Sequence, residues 1–472
     1  MNMSLLSTEI LTAVLACGLL ILCLLSPNKE KHRGIGYATL FGLLAILVTT
    51  FFQYGINETT FHELWIHDDY SVFMKELFLV AAILVTLSSI DFVDTLPRFR
   101  SEYYSLIVFA ALGMMVMASA NDLVTIYVGM ELMTITFFVL VAYVLGNGRS
   151  SEAGVKYLLL GAASSAVLLF GMSLLYGLTG TTVIPEMMSK LHWSPALVIA
   201  VVTLIAGFGF KISAVPFHMW SPDIYEGAPT PITGYLAVAS KAAGFAVLVR
   251  VFIDGLPLQN GVDWLTVMSV LAGITMVIGN VVAIPQTNIK RMLAYSSVAQ
   301  AGYLLVGLMS ADAAGVKGIL FYAMLYVVAN MGAFAVAIVV AKELGTEEIP
   351  DYAGLAIRQP LLASVMTISL LSLAGIPPLA GFVGKLYLFS AIMDKGVLWP
   401  AFVGFVMSMV SVYYYLNVAL YMWRDEPKDN RPIHVPGAIK FTVLFAMVAT
   451  VFFGIYPGPL AEVATMAAKS LF

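Results

Sequence analysis

The chain has 472 residues, of which 60% are hydrophobic and 11% are charged, and its formal net charge is −4. Soluble domains are about 45–50% apolar and roughly 25% charged, so this composition excludes a soluble globular protein and indicates one surrounded by lipid. Its basic residues form no patch suited to nucleic acid, and Cys17 and Cys23 give neither a metal-ligand spacing nor a disulfide framework.

The first apolar segment predicts a retained membrane helix. Glu9 and no Lys or Arg precede it, whereas Lys29, Lys31 and Arg33 follow it. A cleavable signal peptide would begin with positive charge. Because basic residues favour the inner side of a membrane, we predict that the N-terminus lies outside.

Segments of about 20 apolar residues cross the hydrocarbon layer as helices. The sequence therefore predicts an all-α polytopic membrane protein with about fourteen spans. Their ranges are 5–25, 35–54, 75–96, 103–120, 122–145, 155–178, 195–220, 228–253, 262–284, 288–309, 315–341, 358–394, 397–423 and 437–457.

Two of these spans are predicted to be broken helices. The segment 358–394 is too long for one straight span and contains Ile376-Pro377-Pro378, and the segment 195–220 is interrupted at Pro216. A proline inside a helix removes a backbone hydrogen bond and clashes with the preceding turn.

The distribution of Lys and Arg supports an even number of spans with both termini outside. With the N-terminus outside, fifteen basic residues fall on the inner side, at positions 29, 31, 33, 98, 100, 149, 156, 290, 291, 342, 358, 424, 428, 431 and 440. Six fall on the outer side, at Lys75, Lys190, Arg250, Lys317, Lys395 and Lys469. If the count were wrong by one span, the basic residues would no longer be concentrated on one side of the membrane.

The sequence repeats itself with an offset of 161. Ala153-Gly154-Val155-Lys156 recurs at 314–317, and Pro216 is separated from Pro377 by the same distance. Five spans in each repeat would place the copies in opposite orientations, as in transporters built from inverted repeats with broken helices. The predicted organisation is a three-helix segment 1–100, a first repeat 101–255, an inverted second repeat 256–425 and a C-terminal helix 426–472.

Charged residues within the spans are the candidate functional groups. A charge at the bilayer centre costs at least about 2.5–3.5 kcal/mol on insertion scales, so it requires a reason. Glu131 and Lys211 are predicted to interact, so that the carboxylate tunes a lysine that takes up and releases a proton. A structural ion pair between two helices is the alternative.

Lys241 and Lys385 are two further candidates. Lys241 lies mid-span among small residues and is too central to reach the surface. Lys385 follows the second break, where freed backbone carbonyls can hold water and charge.

Lys156 and His218 are less central candidates. Lys156 lies near the inner end of its helix, where it could reach the inner surface instead. His218 lies beside Pro216 and could relay protons or be a hydrogen-bonded structural residue. Asp223 and Glu226 follow in a loop that we interpret mostly as a solvated turn.

Three motifs carry a resemblance that extends over essentially the whole chain. They are FKISAVPFHMWSPDIYEGAPTP at 210–231, KRMLAYSS at 290–297 and AGIPPLAGF at 374–382. They resemble the signatures of the antiporter-like subunits of respiratory complex I. Two further features resemble subunit N of NADH–quinone oxidoreductase, the counterpart of mitochondrial subunit 2. They are Ser240-Lys241, where the larger relatives carry a histidine-bearing segment, and the end of the chain soon after its last span.

The resemblance implies a proton-translocating membrane-arm subunit of a hetero-oligomer in the bacterial plasma membrane. Its partners would be the other membrane-arm subunits and the lipid bilayer. The proton path would run through Glu131 and Lys211 to Lys241 and out through Lys385, with Lys156 alongside. The chain would hold no cofactor, because FMN, iron–sulfur clusters and quinone would belong to other subunits.

Three alternatives remain open from the sequence. The nearest is a subunit of a multisubunit Na⁺/H⁺ antiporter or of a membrane-bound hydrogenase. The others are a structural subunit that does not pump and a stand-alone solute carrier.

Overall fold

The computed structural model describes residues 2–25, 32–256, 262–427 and 431–472, and these form a bundle of helices. Lys29, Lys31 and Lys428, which the charge analysis assigned to the inner side, lie outside the described residues. The predicted all-α class is confirmed, since the described strands are confined to one short hairpin.

The N-terminal segment contains three long helices and that hairpin. A 3₁₀ turn, Met3–Leu6, leads into the first helix. The elements are α1 (Ser7–Leu25), α2 (His32–Thr50), β1 (Glu58–Thr60), β2 (Trp65–His67) and α3 (Asp69–Ser89). The predicted third span began at 75, but α3 begins at Asp69 because Asp68 and Ser71 form a capping box there.

The next part contains five spans, one of them broken. Its helices are α4 (Glu102–Ser119), α5 (Leu123–Val141), α6 (Gly148–Thr179), α7 (Ile184–Lys190), α8 (Pro195–Ile212), α9 (Trp220–Gly227), α10 (Thr230–Tyr235) and α11 (Lys241–Val249). Two π-helical segments, Leu236–Ser240 and Arg250–Asp254, flank α11. The continuous helix Thr230–Asp254 is one span.

The remaining helices form a second five-span part and a C-terminal part. They are α12 (Trp264–Ala283), α13 (Ile289–Leu308), α14 (Ala313–Leu344), α15 (Leu355–Arg358), α16 (Pro360–Ala374), α17 (Ala380–Asp394), α18 (Leu398–Arg424), α19 (Gly437–Ile455) and α20 (Gly458–Lys469). The short helices α7, α15 and α20 were not predicted.

The number of spans agrees with the sequence prediction of about fourteen. Twelve helices among the described residues are long and apolar enough to cross a membrane. Two further crossings complete the count: α13, whose Lys290, Arg291 and Gln300 lower its hydropathy, and the broken helix α16–α17.

Both predicted breaks occur, and each begins at a residue in the left-handed region. Helix α8 ends before Ser213 (φ 60°), and α16 ends before Gly375 (φ 86°). Each broken helix follows a helix of 32 residues, α6 or α14. The two five-span parts are therefore inverted repeats, each with a broken helix.

The uniform offset of 161 is wrong in detail. The starts of α6 and α14 differ by 165, whereas Ser213 and Gly375 differ by 162. The change arises because α8 has 18 residues and α16 has 15. Lys156 and Lys317 are thus out of register with the repeat, and their shared tetrapeptide does not mark equivalent positions.

Both chain ends lie on one face of the bundle, which we call the terminal face. The Asn2 amide donates to Thr60 Oγ1, and the Tyr70 amide donates to Ser470 Oγ, each over 3.1 Å. The opposite side, which carries the α5–α6 and α14–α15 connections, is the loop face. Helices α3 and α14 and the span Thr230–Asp254 are almost wholly buried and form the centre of the bundle.

Candidate functional site

Lys241 lies at the centre of the bundle, directly after a π-helical segment. It is 2% exposed, and its Nζ donates to Ser297 Oγ over 2.6 Å. The Ser240 hydroxyl bonds back to the Leu236 carbonyl oxygen over 2.7 Å, a contact that often accompanies distorted helical turns. Single-turn π segments recur at functional sites, and this one ends immediately before Lys241.

Lys211 lies in the last turn of α8, immediately before the first break. It is 4% exposed, and its Nζ donates to Thr134 Oγ1 over 2.8 Å. The broken end of a helix concentrates unsatisfied carbonyl groups and partial negative charge, which favours a cation there. Lys211 is therefore buried, and the end of α8 is an environment that favours its ammonium group.

Glu131 and Lys211 do not form an ion pair in the described part of the chain. Instead, Glu131 accepts a 2.6 Å hydrogen bond from Ser165 Oγ. Thr134, which holds Lys211, lies three residues after Glu131 and therefore on the same face of α5. The two charged groups are thus neighbours separated by about one helical turn, and a direct contact would require a side-chain movement.

Gly244 allows the helices that carry Lys211 and Lys241 to approach closely. A Cβ atom at Gly244 would lie 2.7 Å from Ile212 Cγ2 and 3.8 Å from Lys211 Cβ. Gly244 is three residues after Lys241, so this contact lies one turn from the central lysine. A larger side chain would push α11 away from α8.

Lys385 lies in α17, on the far side of the second break. Its Nζ donates to the carbonyl oxygens of Leu373 (2.9 Å) and Ala374 (3.1 Å) and to Ser408 Oγ (2.9 Å). These contacts equal the three donors of an ammonium group, and its Nζ lies 4.2 Å from the Tyr303 ring centroid. The last carbonyls of α16, freed by the break, hold the charge as the sequence argument expected.

Helix α13 connects the surroundings of Lys241 and Lys385. Gln300 Nε2 donates to the Leu373 carbonyl oxygen over 3.1 Å, the same oxygen that accepts from Lys385. Gln300 lies one turn after Ser297, and its Oε1 accepts from the Tyr322 hydroxyl. Polar side chains thus continue from one lysine to the other.

Sequence reasoning missed Ser297 and Gln300 as members of the site. The available signal was polar residues three apart on an otherwise apolar helix, just after the basic start of the KRMLAYSS motif. That spacing predicts a shared face, but the partners of that face depend on packing against α11 and α16.

Lys156 lies in an ion cluster on the loop face, apart from the buried lysines. Its side chain is 43% exposed and pairs with Glu152 (2.7 Å) and Asp223 (3.2 Å). Arg291 joins Asp223 and Glu226, each over 2.9 Å. This cluster lines a cavity of about 220 Å³.

His218 lies in the break between α8 and α9 and is 7% exposed. Across the described ranges, no hydrogen bond or ion pair joins its ring to Lys211 or Lys241. The structure therefore places it next to the site without connecting it to a lysine.

Three basic residues predicted at helix ends are in fact buried. Lys290 pairs with Glu347 (2.8 Å) at the edge of a loop-face cavity of about 580 Å³. Lys75 and Arg250 are buried near the terminal face. Charge counting placed them at the surface because it records sequence position and not depth.

The described ranges contain no cluster of three or more His, Cys, Asp or Glu side chains arranged to hold a metal ion. What the site offers is hydrogen-bonded cations. Buried lysines in a row, each supported by hydroxyl or carbonyl oxygens near a helix irregularity, can bind and pass protons. Fold and site together define an antiporter-like membrane subunit.

Comparisons with known proteins agree with that class. The family described as "NADH:quinone oxidoreductase/Mrp antiporter, TM" matches residues 120–411. The chain is 81% identical over 472 residues to NADH-quinone oxidoreductase subunit N of Heliobacterium modesticaldum, covering 100% of both chains. It is 54% identical to the protein of the same name in Desulforamulus reducens, covering 99% of this chain and 98% of the relative.

Solved structures show the same fold. A chain of respiratory complex I from Thermus thermophilus with bound aureothin matches with a TM-score of 0.83 and 31% identity, over 96% of this chain and 98% of that one. A chain of the archaeal membrane-bound sulfane sulfur reductase matches with a TM-score of 0.89 and 25% identity, over 100% and 98%. The chain belongs to the family of NADH-quinone oxidoreductase subunit N.

Proposed function

We propose that this chain is a proton-translocating membrane-arm subunit of NADH–quinone oxidoreductase. Electrons would pass from NADH to quinone in partner subunits, which would hold the FMN and iron–sulfur clusters, and the released energy would drive protons through this chain. The observation that carries the proposal is the row of buried lysines, Lys211, Lys241 and Lys385, which bind hydroxyl or carbonyl oxygens and form no ion pairs among the described residues.

The absence of a direct carboxylate partner makes these lysines suitable for proton transfer. An ammonium group supported only by neutral acceptors can lose its proton without leaving an unpaired buried anion. Moving one charge against 100 mV requires about 2.3 kcal/mol, and a change of one pKa unit corresponds to about 1.4 kcal/mol. A side-chain movement that brings Glu131 closer to Lys211 or away from it supplies a change of this size.

In this proposal protons pass from Lys211 to Lys241 and leave through Lys385. Glu131 tunes Lys211, Lys156 belongs to the loop-face cluster near the proton uptake side, and His218 supports the first break. The terminal face, with both chain ends, is on the outer side of the bacterial plasma membrane. The proposed division of the chain is 1–100, 101–255, 256–425 and 426–472. It assigns Lys211 and Lys241 to the first repeat and Lys385 to the second.

The test is NADH-driven proton uptake by membrane vesicles that contain the assembled complex with Lys211→Ala. Lys190→Ala is a matched control, because Lys190 is a half-exposed lysine on α7. The proposal expects proton uptake and the coupled electron flow to collapse only in Lys211→Ala. Unchanged uptake in an assembled Lys211→Ala complex would falsify the proton path.

The alternative is a subunit of a multisubunit Na⁺/H⁺ antiporter or of a membrane-bound hydrogenase, and the description of the matching family, which names the Mrp antiporter, supports the first of these. The same vesicle assay distinguishes the proposed function from this alternative. NADH-independent, Na⁺-driven proton movement that requires Lys211 would favour the alternative.

A further inference from the structure

A second group of buried charges lies in the N-terminal segment, near the terminal face. Lys75 Nζ lies 2.7 Å from Glu9 Oε1, and the two side chains are 0% and 5% exposed. Ser119 Oγ donates to the same Glu9 oxygen over 3.3 Å. A charge pair buried this completely inside a membrane bundle costs free energy, so its presence has to be explained.

A neighbouring pair, Arg250 with Asp68, connects this group to the span that carries Lys241. Arg250 Nη2 donates to Asp68 Oδ1 over 2.7 Å, and Arg250 Nε donates to the Ala118 carbonyl oxygen over 2.9 Å. Ala118 precedes Ser119 on α4. Asp68 precedes Lys75 by seven residues, or two turns, so both lie on one face of α3.

The two pairs differ in how well they are satisfied. Asp68 also caps α3 by accepting from the Ser71 amide, and Arg250 lies over the Tyr70 ring, 5.0 Å from its centroid. Glu9 Oε2 and Asp68 Oδ2 both lack a hydrogen-bond partner among the described residues. The difference lies in the cations, because Arg250 also donates to the Ala118 carbonyl oxygen, whereas the Lys75 ammonium has the Glu9 carboxylate as its ionic partner. The Arg250–Asp68 pair is therefore more completely hydrogen-bonded than the Glu9–Lys75 pair.

Polar groups lead from the Glu9–Lys75 pair toward the terminal face. The buried His67 ring has its Nδ1 3.2 Å from the Leu5 carbonyl oxygen and its Nε2 3.4 Å from the Gln53 carbonyl oxygen. Glu76, which follows Lys75 on α3, accepts hydrogen bonds from Tyr54 (2.9 Å) and Thr50 (3.2 Å). These groups occupy the ends of α1 and α2, where the bundle meets water.

We propose that Glu9 and Lys75 form an additional proton-transfer site on the terminal-face side of this chain. The inference rests on the proposed function. The Lys75 ammonium gives its proton to the Glu9 carboxylate, which leaves a neutral amine and a neutral carboxylic acid. Glu9 then releases the proton to water at the terminal face, and the amine takes up another from the side of the span that carries Lys241.

The test compares assembled complexes with Glu9→Gln, Lys75→Gln and the double substitution. The measurements are the initial rate of NADH-driven proton uptake per assembled complex and the amount of assembled complex. In the double variant the ionic pair becomes a pair of amides of similar size, so a purely structural pair would be replaced with little loss. We expect normal assembly and slower proton uptake, with a smaller loss than in Lys241→Ala because protons can still leave through Lys385. A normal rate of uptake in the assembled double variant overturns the inference.

Glu9→Asp decides the case in which the double variant does not assemble. It keeps the charge and draws the carboxylate back by one methylene, so proton movement should slow while assembly is retained; an unchanged rate overturns the inference. Lys241→Ala in the same assay separates the two proposals. If Lys241→Ala leaves the rate of proton uptake unchanged, the proposed function itself fails, whereas slower uptake in Lys241→Ala with normal uptake in the Glu9/Lys75 double variant removes only this inference.

Discussion

Lys241 donates a 2.6 Å hydrogen bond to Ser297, and this contact joins the centre of the first broken-helix repeat to the second. Lys241 begins α11, and Ser297 lies on α13. The donor is a buried cation and the acceptor is a neutral hydroxyl, whose own proton goes to the Ala294 carbonyl oxygen over 2.7 Å. The state of Lys241 therefore depends on a few oriented dipoles.

Ser297→Ala should slow NADH-driven proton uptake by about tenfold. A hydrogen bond to a charged group contributes roughly 1.5–3 kcal/mol, and about 1.4 kcal/mol corresponds to a factor of ten in rate. The measurement is the initial rate of uptake in vesicles. Ser88→Ala is the control, since Ser88 is buried and bonds only to the Leu84 carbonyl oxygen of its own helix in the described residues. Equal rates in both variants would remove Ser297 from the path.

Gln300→Leu should reduce proton uptake while the complex still assembles. The Leu373 carbonyl oxygen loses one donor but keeps its bond from Lys385, whereas the buried Tyr322 hydroxyl loses its acceptor, and a buried polar group left unpaired costs about 1–3 kcal/mol. Gln286→Leu, near the loop face, is a suitable control because Gln286 bonds to Val282 of its own helix end. Undiminished uptake in Gln300→Leu would show that protons bypass α13.

Gly381→Ala should distort the second break. A Cβ atom there would overlap the Ser372 carbonyl oxygen, so the start of α17 would have to move away from α16. Lys385, one turn later, would lose its contacts with the freed carbonyls. We expect a large decrease in assembled complex on native gels. Gly148→Ala, with no atom within 4 Å of the added methyl group, should assemble normally.

Lys156→Ala should have a small effect on proton uptake, below threefold. The lysine is half exposed, and exposed ion pairs contribute about 0–1 kcal/mol. The comparison is with Lys241→Ala in the same vesicles. A loss as large as that of Lys241→Ala would show that the loop-face cluster is an obligatory part of the proton path.

His67 predicts a pH-dependent stability. Burial, reinforced by the nearby Lys75 ammonium, lowers the pKa of the His67 imidazole below its ordinary value of 6.5. The unfolded chain therefore binds a proton before the folded one does, so stability is retained above about pH 6.5 and lost as the pH falls from there through the folded pKa.

The measurement for His67 is the Tm of the purified complex at about pH 7.5 and pH 5.5. His67→Gln should show a smaller decrease in Tm at the lower pH than the wild type. His192→Gln, on an exposed residue, should behave like the wild type. The same decrease in His67→Gln and wild type would rule out His67 as the source.

The sequence by itself determined the membrane class, the spans, the two breaks and the central position of Lys211, Lys241 and Lys385. These features are local. A span needs only enough consecutive apolar residues, a proline disrupts its own turn, and a charge in the middle of a span cannot reach water.

Only the tertiary structure decided what each charge contacts. Lys75 looks like a helix-end residue until α1 brings Glu9 against it. The sequence left Lys156 between a site and a surface role, and its contact with Asp223 is known only from the packing of α6 against α9. The partners Ser297 and Thr134 likewise lie on helices far away in the sequence. Depth, exposure and partner depend on how helices pack, and an apolar helix in lipid carries little sequence signal for the face it presents to its neighbours.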